Sequence, residues 1–254
     1  MKHIPNFFTL LNLFFGCCAI VFCLQNGIVI QEHLEGVQLI EMPEKIVFSS
    51  VCIGLAAIVD FLDGFVARLM KATSDLGKQL DSLADVVSFG VAPSMIVYQF
   101  LRMSFASQEN GLDVPFIFLT PAFFIAVTAA YRLGKFNLDA SQSVFFKGVP
   151  TPAVGLMIAS FPFIYWYADN EFVLKLLLNK WTLYTLILFV SYVMMCDWPM
   201  MSLKIKSLHW KENAPQLALL LVAIILFIFF HWASIPMIFF SYILVSLIFK
   251  KKFS

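Results

Sequence analysis

Residues 46–85 read IVFSSVCIGLAAIVDFLDGFVARLMKATSDLGKQLDSLAD, and this stretch decides what kind of protein the chain builds. Two strongly apolar runs meet here. Across their ends lie Asp60, Asp63, Gly64, Ala67, Arg68, Gly77, Asp81 and Asp85, in the pattern D-x-x-D-G-x-x-A-R-x8-G-x-x-x-D-x-x-x-D. At roughly one chance in twenty per position, such a pattern arises by accident on the order of once in 10^10 starting points. Asp60 and Asp63 are three apart and Asp81 and Asp85 four apart, so each pair shares one helical face. A carboxylate at membrane depth costs about 2.5–3.5 kcal/mol, and four cost on the order of 10–14. Cations shared between the two faces offset that cost, so the pattern describes a site rather than a surface.

The rest of the chain sets the surroundings. Of its 254 residues 61% are hydrophobic and only 13% charged. No soluble domain of this length needs so little polar surface, which makes this an all-α integral membrane protein. The apolar segments are about 7–28, 46–69, 79–101, 114–131, 151–168, 181–197, 215–231 and 234–249. Each is near the ~20 residues that cross ~30 Å of hydrocarbon, so about eight transmembrane helices are expected. The last two, joined around His231 and Trp232, are expected to form a tight antiparallel hairpin. The opening I-P-N-F-F-T-L-L-N reads as a short amino-terminal interfacial helix leading into the first span. It lacks the cationic start and A-x-A site of a signal peptide. With no repeat, low-complexity tail or soluble segment, residues 1–254 read as one transmembrane domain.

Lys and Arg set the orientation. With the amino terminus inside, thirteen fall on the cytoplasmic side, among them Arg68, Lys71, Lys78, Arg132, Lys135, Lys147 and the Lys250–Lys252 run. Only Lys45, Arg102, Lys175 and Lys180 fall outside. The aspartate motif is therefore expected to face the cytoplasm, and a bacterial inner membrane fits best. The formal net charge of +1 by itself says nothing about a polyanionic partner, and no nucleic-acid partner is expected. Cys17, Cys18, Cys23, Cys52 and Cys196 are odd in number, lie in apolar segments and form no C-x-x-C pair, so they read as small hydrophobes. His3, His33, His209 and His231 have no metal-binding spacing.

Four carboxylates without histidine or thiolate make a hard, oxygen-rich site suited to Mg2+, Mn2+ or Ca2+. Acids from two facing helices can hold two divalent ions about 4 Å apart, an arrangement that clamps attacking and leaving oxygens in phosphoryl chemistry. Gly64 and Ala67 are small enough to open a slot beside the metals, and Arg68 offers a fork for phosphate oxygens. Gly77 lets the second helix start close to the first, or serves helix packing alone.

At these residues the chain resembles the CDP-alcohol phosphotransferases, integral membrane enzymes that pass a phosphatidyl or related group from a CDP-linked donor to an alcohol. All eight signature positions are met. G-K-Q-L-D-S-L-A-D-V-V-S-F-G-V-A-P at 77–93 and I-P-N-F-F-T-L-L-N-L-F-F-G at 4–16 resemble the phosphatidylserine synthase branch. A looser likeness runs through Y-R-L-G-K-F-N at 131–137 and F-F-K-G-V-P-T-P-A at 145–153. Gly134 and Lys135 stand there where the branch usually has Ala and Arg, and Lys135 keeps the charge without the fork.

The resemblance implies transfer of a phosphatidyl group from CDP-diacylglycerol to L-serine, in a lipid bilayer and by a homodimer. It implies that Asp60, Asp63 and Asp81 hold two divalent ions, Mg2+ or Mn2+. Asp85 would contribute to the second ion and take the proton from the incoming hydroxyl. Gly64, Ala67, Arg68 and Gly77 would shape the CDP pocket, with Asn6, Thr9 and Ser74 from flanking stretches. Arg132, Lys135 and Lys147 either capture the serine carboxylate or the lipid phosphate, or are ordinary cytoplasmic loop charge. Ser82 and Ser88 either face the pocket or bond helix to helix. Asp197 reads as a lone interfacial acid. Two other functions stay open: the same chemistry with glycerol 3-phosphate or inositol, against which the L-D-S-L-A-D-x-x-S-F-G run argues, and a cation-coupled transporter. A transporter would place its acids near mid-membrane on repeated halves.

Overall fold

Long apolar segments in hydrocarbon must satisfy every backbone group internally, and helices do this within one segment. The computed structural model is accordingly a bundle of helices; it describes residues 3–25, 29–32, 38–70, 74–106, 114–138, 146–168, 170–201 and 213–249. In order these are α1 (His3–Leu24), strands β1 (Val29–Glu32) and β2 (Gln38–Glu41), α2 (Ile46–Leu69), α3 (Asp75–Asp85), a π-helical segment (Val86–Val91) and α4 (Ala92–Ala106). Next come α5 (Phe124–Leu138), β3 (Phe146–Lys147), α6 (Thr151–Ala159), α7 (Phe161–Tyr167), α8 (Glu171–Leu177), α9 (Lys180–Met195), β4 (Pro199–Met200), α10 (Ala214–Phe230) and α11 (Ser234–Ile248).

Four helical runs are long and apolar enough to cross a membrane: Pro5–Leu24, Ile46–Leu69, Asp75–Ala106 and Pro215–Ile248. A fifth is added if α8 and α9, bent by 67°, make one span. The protein is an integral membrane protein. The last run holds 34 residues, about 51 Å at 1.5 Å each, far more than one crossing needs. It breaks at His231, whose φ of 45° is the one positive value at a non-glycine residue among the described residues. α10 and α11 pack against each other across that break, as a hairpin does.

Elsewhere the apolar segments and the regular helices part company, for local reasons. No separate interfacial helix precedes the first span: His3–Leu24 is one unbroken helix. Pro5 lies in its first turn, where the missing N–H has no partner to lose. The segment expected at 151–168 is split at Ser160 into α6 and α7, because Pro162 cannot donate to the carbonyl four residues back. The one expected at 114–131 enters through 3-10 turns at Phe116–Phe118 and Thr120–Phe123, the second carrying Pro121, before α5 begins. α5 then runs on to Leu138, so Arg132, Lys135 and Asn137 stand on a helix.

The run Asp75–Ala106 is the centre of the bundle. It touches α1, α2, α5, α6 and α9, and Phe89, Ile96, Phe100 and Leu101 on it are fully buried. Ser74 caps its start by accepting from the Gly77 N–H at 3.0 Å. β3 pairs antiparallel with β4, Phe146 opposite Met200 and Lys147 opposite Pro199. This tie needs Gly148, which has φ +74° and where a Cβ would lie 2.6 Å from the Met194 carbonyl oxygen. Gly148→Ala is expected to cost about 2 kcal/mol or more, from the left-handed backbone and the clash together. A lowered melting temperature in detergent checks it; an unchanged one contradicts the strain.

Candidate active site

The signature residues come together where α2 ends and α3 begins, and α1 supplies a third wall. Oxygens of Asp60, Asp63 and Asp81 all lie within 4.8 Å of one another. Asp81 and Asp85 both stand within hydrogen-bonding reach of Asp60. The i, i+3 pair on α2 thus faces the i, i+4 pair on α3. Asp63 and Asp85 are each only 7% exposed, and Asp81 Oδ1 is buried with no hydrogen-bond partner among the described residues. Four acids so placed repel one another, and neither lysine nor arginine pairs with any of them among the described residues.

α1 meets this cluster with a polar stripe at three-residue spacing. Thr9 Oγ1 donates to Asp63 Oδ2 at 2.8 Å, and Asn12 Nδ2 donates to Asp85 Oδ1 at 3.2 Å. Asn6 lies against Gly77, where a Cβ would be 3.0 Å from Asn6 Oδ1 and 3.1 Å from Ser74 Oγ. The close approach that Gly77 permits is therefore to α1 and to its own helix cap, not to α2. Asn12 was not singled out from the sequence; its place one step further along the Asn6, Thr9 spacing, in an otherwise apolar helix, was the available signal.

Beside the aspartates opens a cavity of about 370 Å3, lined by Asn6, Thr9, Asp63, Gly64, Ala67 and Asp81 among others, with Ser74, Gly77 and Lys78 at its α3 side. Among the described residues nothing but the Arg68 guanidinium, 4.0 Å away, would meet a Cβ at Gly64, so the α2 wall is open at that position. Arg68 itself is exposed on the last turn of α2, next to that opening.

The deeper side is built by α5 and the π-helical segment. Arg132 is 8% exposed. It donates from one Nη to Thr151 Oγ1 at 3.1 Å, leaves Nε without a partner among the described residues, and lies close enough to Asp85 and Tyr242 to interact electrostatically with both. Val86–Val91, directly after Asp85, is a wider π turn. Such turns recur at functional sites because the extra residue shifts the helical phase of the side chains beyond it. Here it sets Ser88 against α1, where its hydroxyl donates to the Asn12 carbonyl at 3.0 Å. Gly16 leaves room for that contact.

Of the polar residues singled out from the sequence, several already have partners. Ser88 is buried and bonds helix to helix, the second of its two readings. Ser82 Oγ donates to the Lys78 carbonyl at 3.2 Å and accepts from Asn137 Nδ2 at 2.8 Å. Asp197 is not alone: Lys135 reaches it at 2.7 Å. Lys147 sits in β3 by its backbone, and its side chain lies outside the described residues.

The chain matches the CDP-alcohol phosphatidyltransferase family over residues 2–201. It is 38% identical over 107 residues to the CDP-diacylglycerol–serine O-phosphatidyltransferase of Bacillus subtilis, covering 42% of this chain and 55% of that protein. The enzyme of the same name from Helicobacter pylori is 34% identical over 156 residues, 61% of this chain and 54% of that one. That of Mycobacterium tuberculosis is 29% identical over 238 residues, 89% and 68%. The chain spans about half the length of the first two of these relatives. The family match takes in every helix that builds the cleft, from α1 to α9, and the chain belongs to the CDP-alcohol phosphatidyltransferase family.

Proposed function

We propose that this protein transfers the phosphatidyl group of CDP-diacylglycerol to L-serine and releases CMP, with residues 1–254 forming one transmembrane catalytic unit. The observation that carries this is the meeting of three signature carboxylates, with Asp85 near them, beside a cleft open at Gly64, in a chain whose relatives bear the serine transferase name. The cleft would face the cytoplasmic side of a bacterial inner membrane, a reading that the thirteen-to-four bias of Lys and Arg supports. A homodimer belongs to the same reading, on the family resemblance alone.

The donor set fits divalent cations: oxygens only, crowded within 4.8 Å, one of them buried and without a partner among the described residues. Asp60, Asp63 and Asp81 would hold Mg2+ or Mn2+, with Asp85 contributing. Divalent ions held there would supply positive charge to the diphosphate and to the departing CMP. The chain's own residues do the rest. Thr9 fixes Asp63 and Asn12 fixes Asp85, so the carboxylates keep their directions. Gly64 and Ala67 admit the nucleotide end of the donor. Asp85 takes the proton of the serine hydroxyl as that oxygen bonds to phosphorus and the bond from phosphorus to the CMP oxygen breaks. Arg132 offers the serine carboxylate a cation next to Asp85.

Membranes carrying the protein, given CDP-diacylglycerol and labelled serine, are expected to release CMP and form labelled phosphatidylserine. CMP release with glycerol 3-phosphate or inositol in place of serine would change the acceptor. Ion-coupled uptake without CMP would remove the transferase.

Arg132→Lys tests the acceptor side. It keeps the charge but loses the planar fork, which a carboxylate contact values at about 1–3 kcal/mol. The KM for serine is expected to rise about 5- to 150-fold, with CDP-diacylglycerol affinity little changed. If donor affinity falls and serine's does not, Arg132 binds phosphate instead. Lys147→Ala beside it shows whether the strand before α6 contributes.

A further inference from the structure

Asn12 is wholly buried on α1, and the two ends of its amide have unlike fates. Nδ2 donates to Asp85 Oδ1 at 3.2 Å. Oδ1 has no partner among the described residues. A carboxylate only accepts, so the nitrogen is the end that must face Asp85, and the oxygen beside it remains a bare acceptor. Swinging away would not relieve this, because it would leave Asp85 without its donor. The backbone is fixed as well: Ser88 Oγ donates to the Asn12 carbonyl at 3.0 Å, in a contact that Gly16 makes room for. Buried polar atoms are nearly always paired, so an orphan beside the reacting group invites a donor from a ligand.

Asp85 has a second neighbour of opposite character. Arg132 Nε is a buried donor without a partner among the described residues, on a side chain that interacts electrostatically with Asp85. One unpaired acceptor and one unpaired donor therefore flank the group assigned to take the hydroxyl proton. A 2-amino-3-hydroxy acid complements all three, with its ammonium for Asn12, its carboxylate for Arg132 and its hydroxyl for Asp85. A glycerol phosphate or a cyclitol brings hydroxyls but no cationic donor.

We propose that Asn12 selects the acceptor by receiving a hydrogen bond from its ammonium group through Oδ1, while Nδ2 positions Asp85. This rests on the serine assignment above and deepens it. A buried hydrogen-bonding group discriminates strongly against a ligand that lacks the matching group, since its own atom is then left unpaired.

The test uses the full chain in membranes, with serine as acceptor and 3-hydroxypropanoate, the same acid without its ammonium, as competitor. The ratio of the competitor's inhibition constant to the serine KM measures ammonium recognition. In Asn12→Ala that ratio is expected to fall about 10- to 100-fold, while directly measured CDP-diacylglycerol binding stays within about twofold. Asn12→Asp keeps an acceptor oxygen of the same shape and loses the N–H to Asp85. It is expected to keep the ratio and lower kcat about 10-fold or more. An unchanged ratio in Asn12→Ala with the donor still bound overturns the proposal, and so does a ratio lost equally in Asn12→Asp. If the alanine variant does not bind the donor, Asn12→Ser takes its place and the same ratio decides. Failure of the serine assignment is distinguishable, because the unmodified chain then releases no CMP with serine, and that overturns both.

Discussion

Asp85→Asn is expected to slow serine transfer by roughly 10^2- to 10^4-fold, the usual range for loss of a general base, while CDP-diacylglycerol still binds. The substitution is nearly isosteric, and the amide oxygen can go on accepting from Asn12 Nδ2 where Asp85 Oδ1 now does, at 3.2 Å. The packing around the π turn is then undisturbed; the capacity to take a proton is lost, and the amide oxygen can still offer a bound ion a neutral ligand in place of the carboxylate. Asp63→Asn makes the contrast. Asp63 lines the cleft and is held by Thr9 at 2.8 Å, so its loss should weaken metal and nucleotide binding together. Direct binding of the CDP-lipid, beside turnover measured at saturating donor, separates the two. Unimpaired serine transfer in the Asp85 variant would remove it from the catalytic role.

The contrast depends on geometry that the sequence showed only in part. Acids in an apolar stretch announce themselves, because each costs so much there, and the faces they share follow from helical spacing. The helices that carry them were therefore legible: α2 has the expected bounds of 46 and 69. What α1 does was half legible. Asn6 and Thr9 drew notice through their place in the resemblance, but Asn12, whose amide holds Asp85, was not singled out. The π turn was not legible at all, since an i→i+5 bond leaves no period in the side chains around it.

α5 shows another kind of miss. Apolarity ends near Tyr131, and a hydropathy reading stops the helix there, yet it continues to Leu138. The continuation is possible because each polar side chain on it finds a partner: Arg132 at Thr151, Lys135 at Asp197 and Asn137 at Ser82. Those partners are 19, 62 and 55 residues away in the chain, so no local pattern could have revealed them. The same distance explains why Ser82 stayed open between the pocket and a helix-to-helix bond, and why Asp197 read as a lone interfacial acid. Side chains that look available in a sequence are often committed by the fold, and atoms left unpaired among the described residues, such as Asn12 Oδ1 and Arg132 Nε, become informative for that reason.

Stripping divalent cations with excess chelator is expected to abolish activity, and Mg2+ or Mn2+ to restore it. The physical basis is the crowding of Asp60, Asp63 and Asp81 within 4.8 Å, with Asp81 Oδ1 buried and unpartnered. Without a cation, no lysine or arginine among the described residues pairs with these carboxylates, and the folded state bears their repulsion. A ligand that binds only the folded state stabilises it by RT ln(1 + [L]/Kd), about 2.7 kcal/mol at a hundred times Kd. Mn2+ should therefore raise the melting temperature of the unmodified protein in detergent. Asp81→Ala removes a ligand and a repelling charge at once, so the variant should insert and fold, show no turnover, and melt at nearly the same temperature with and without Mn2+. In chelator it should melt no lower than the unmodified chain, since the charge it has lost was unfavourable there. Full turnover of the unmodified protein in chelator would sink the metal assignment. A variant that loses activity yet keeps the whole Mn2+ stabilisation would move the metal away from Asp81, leaving that carboxylate to act on the substrate directly.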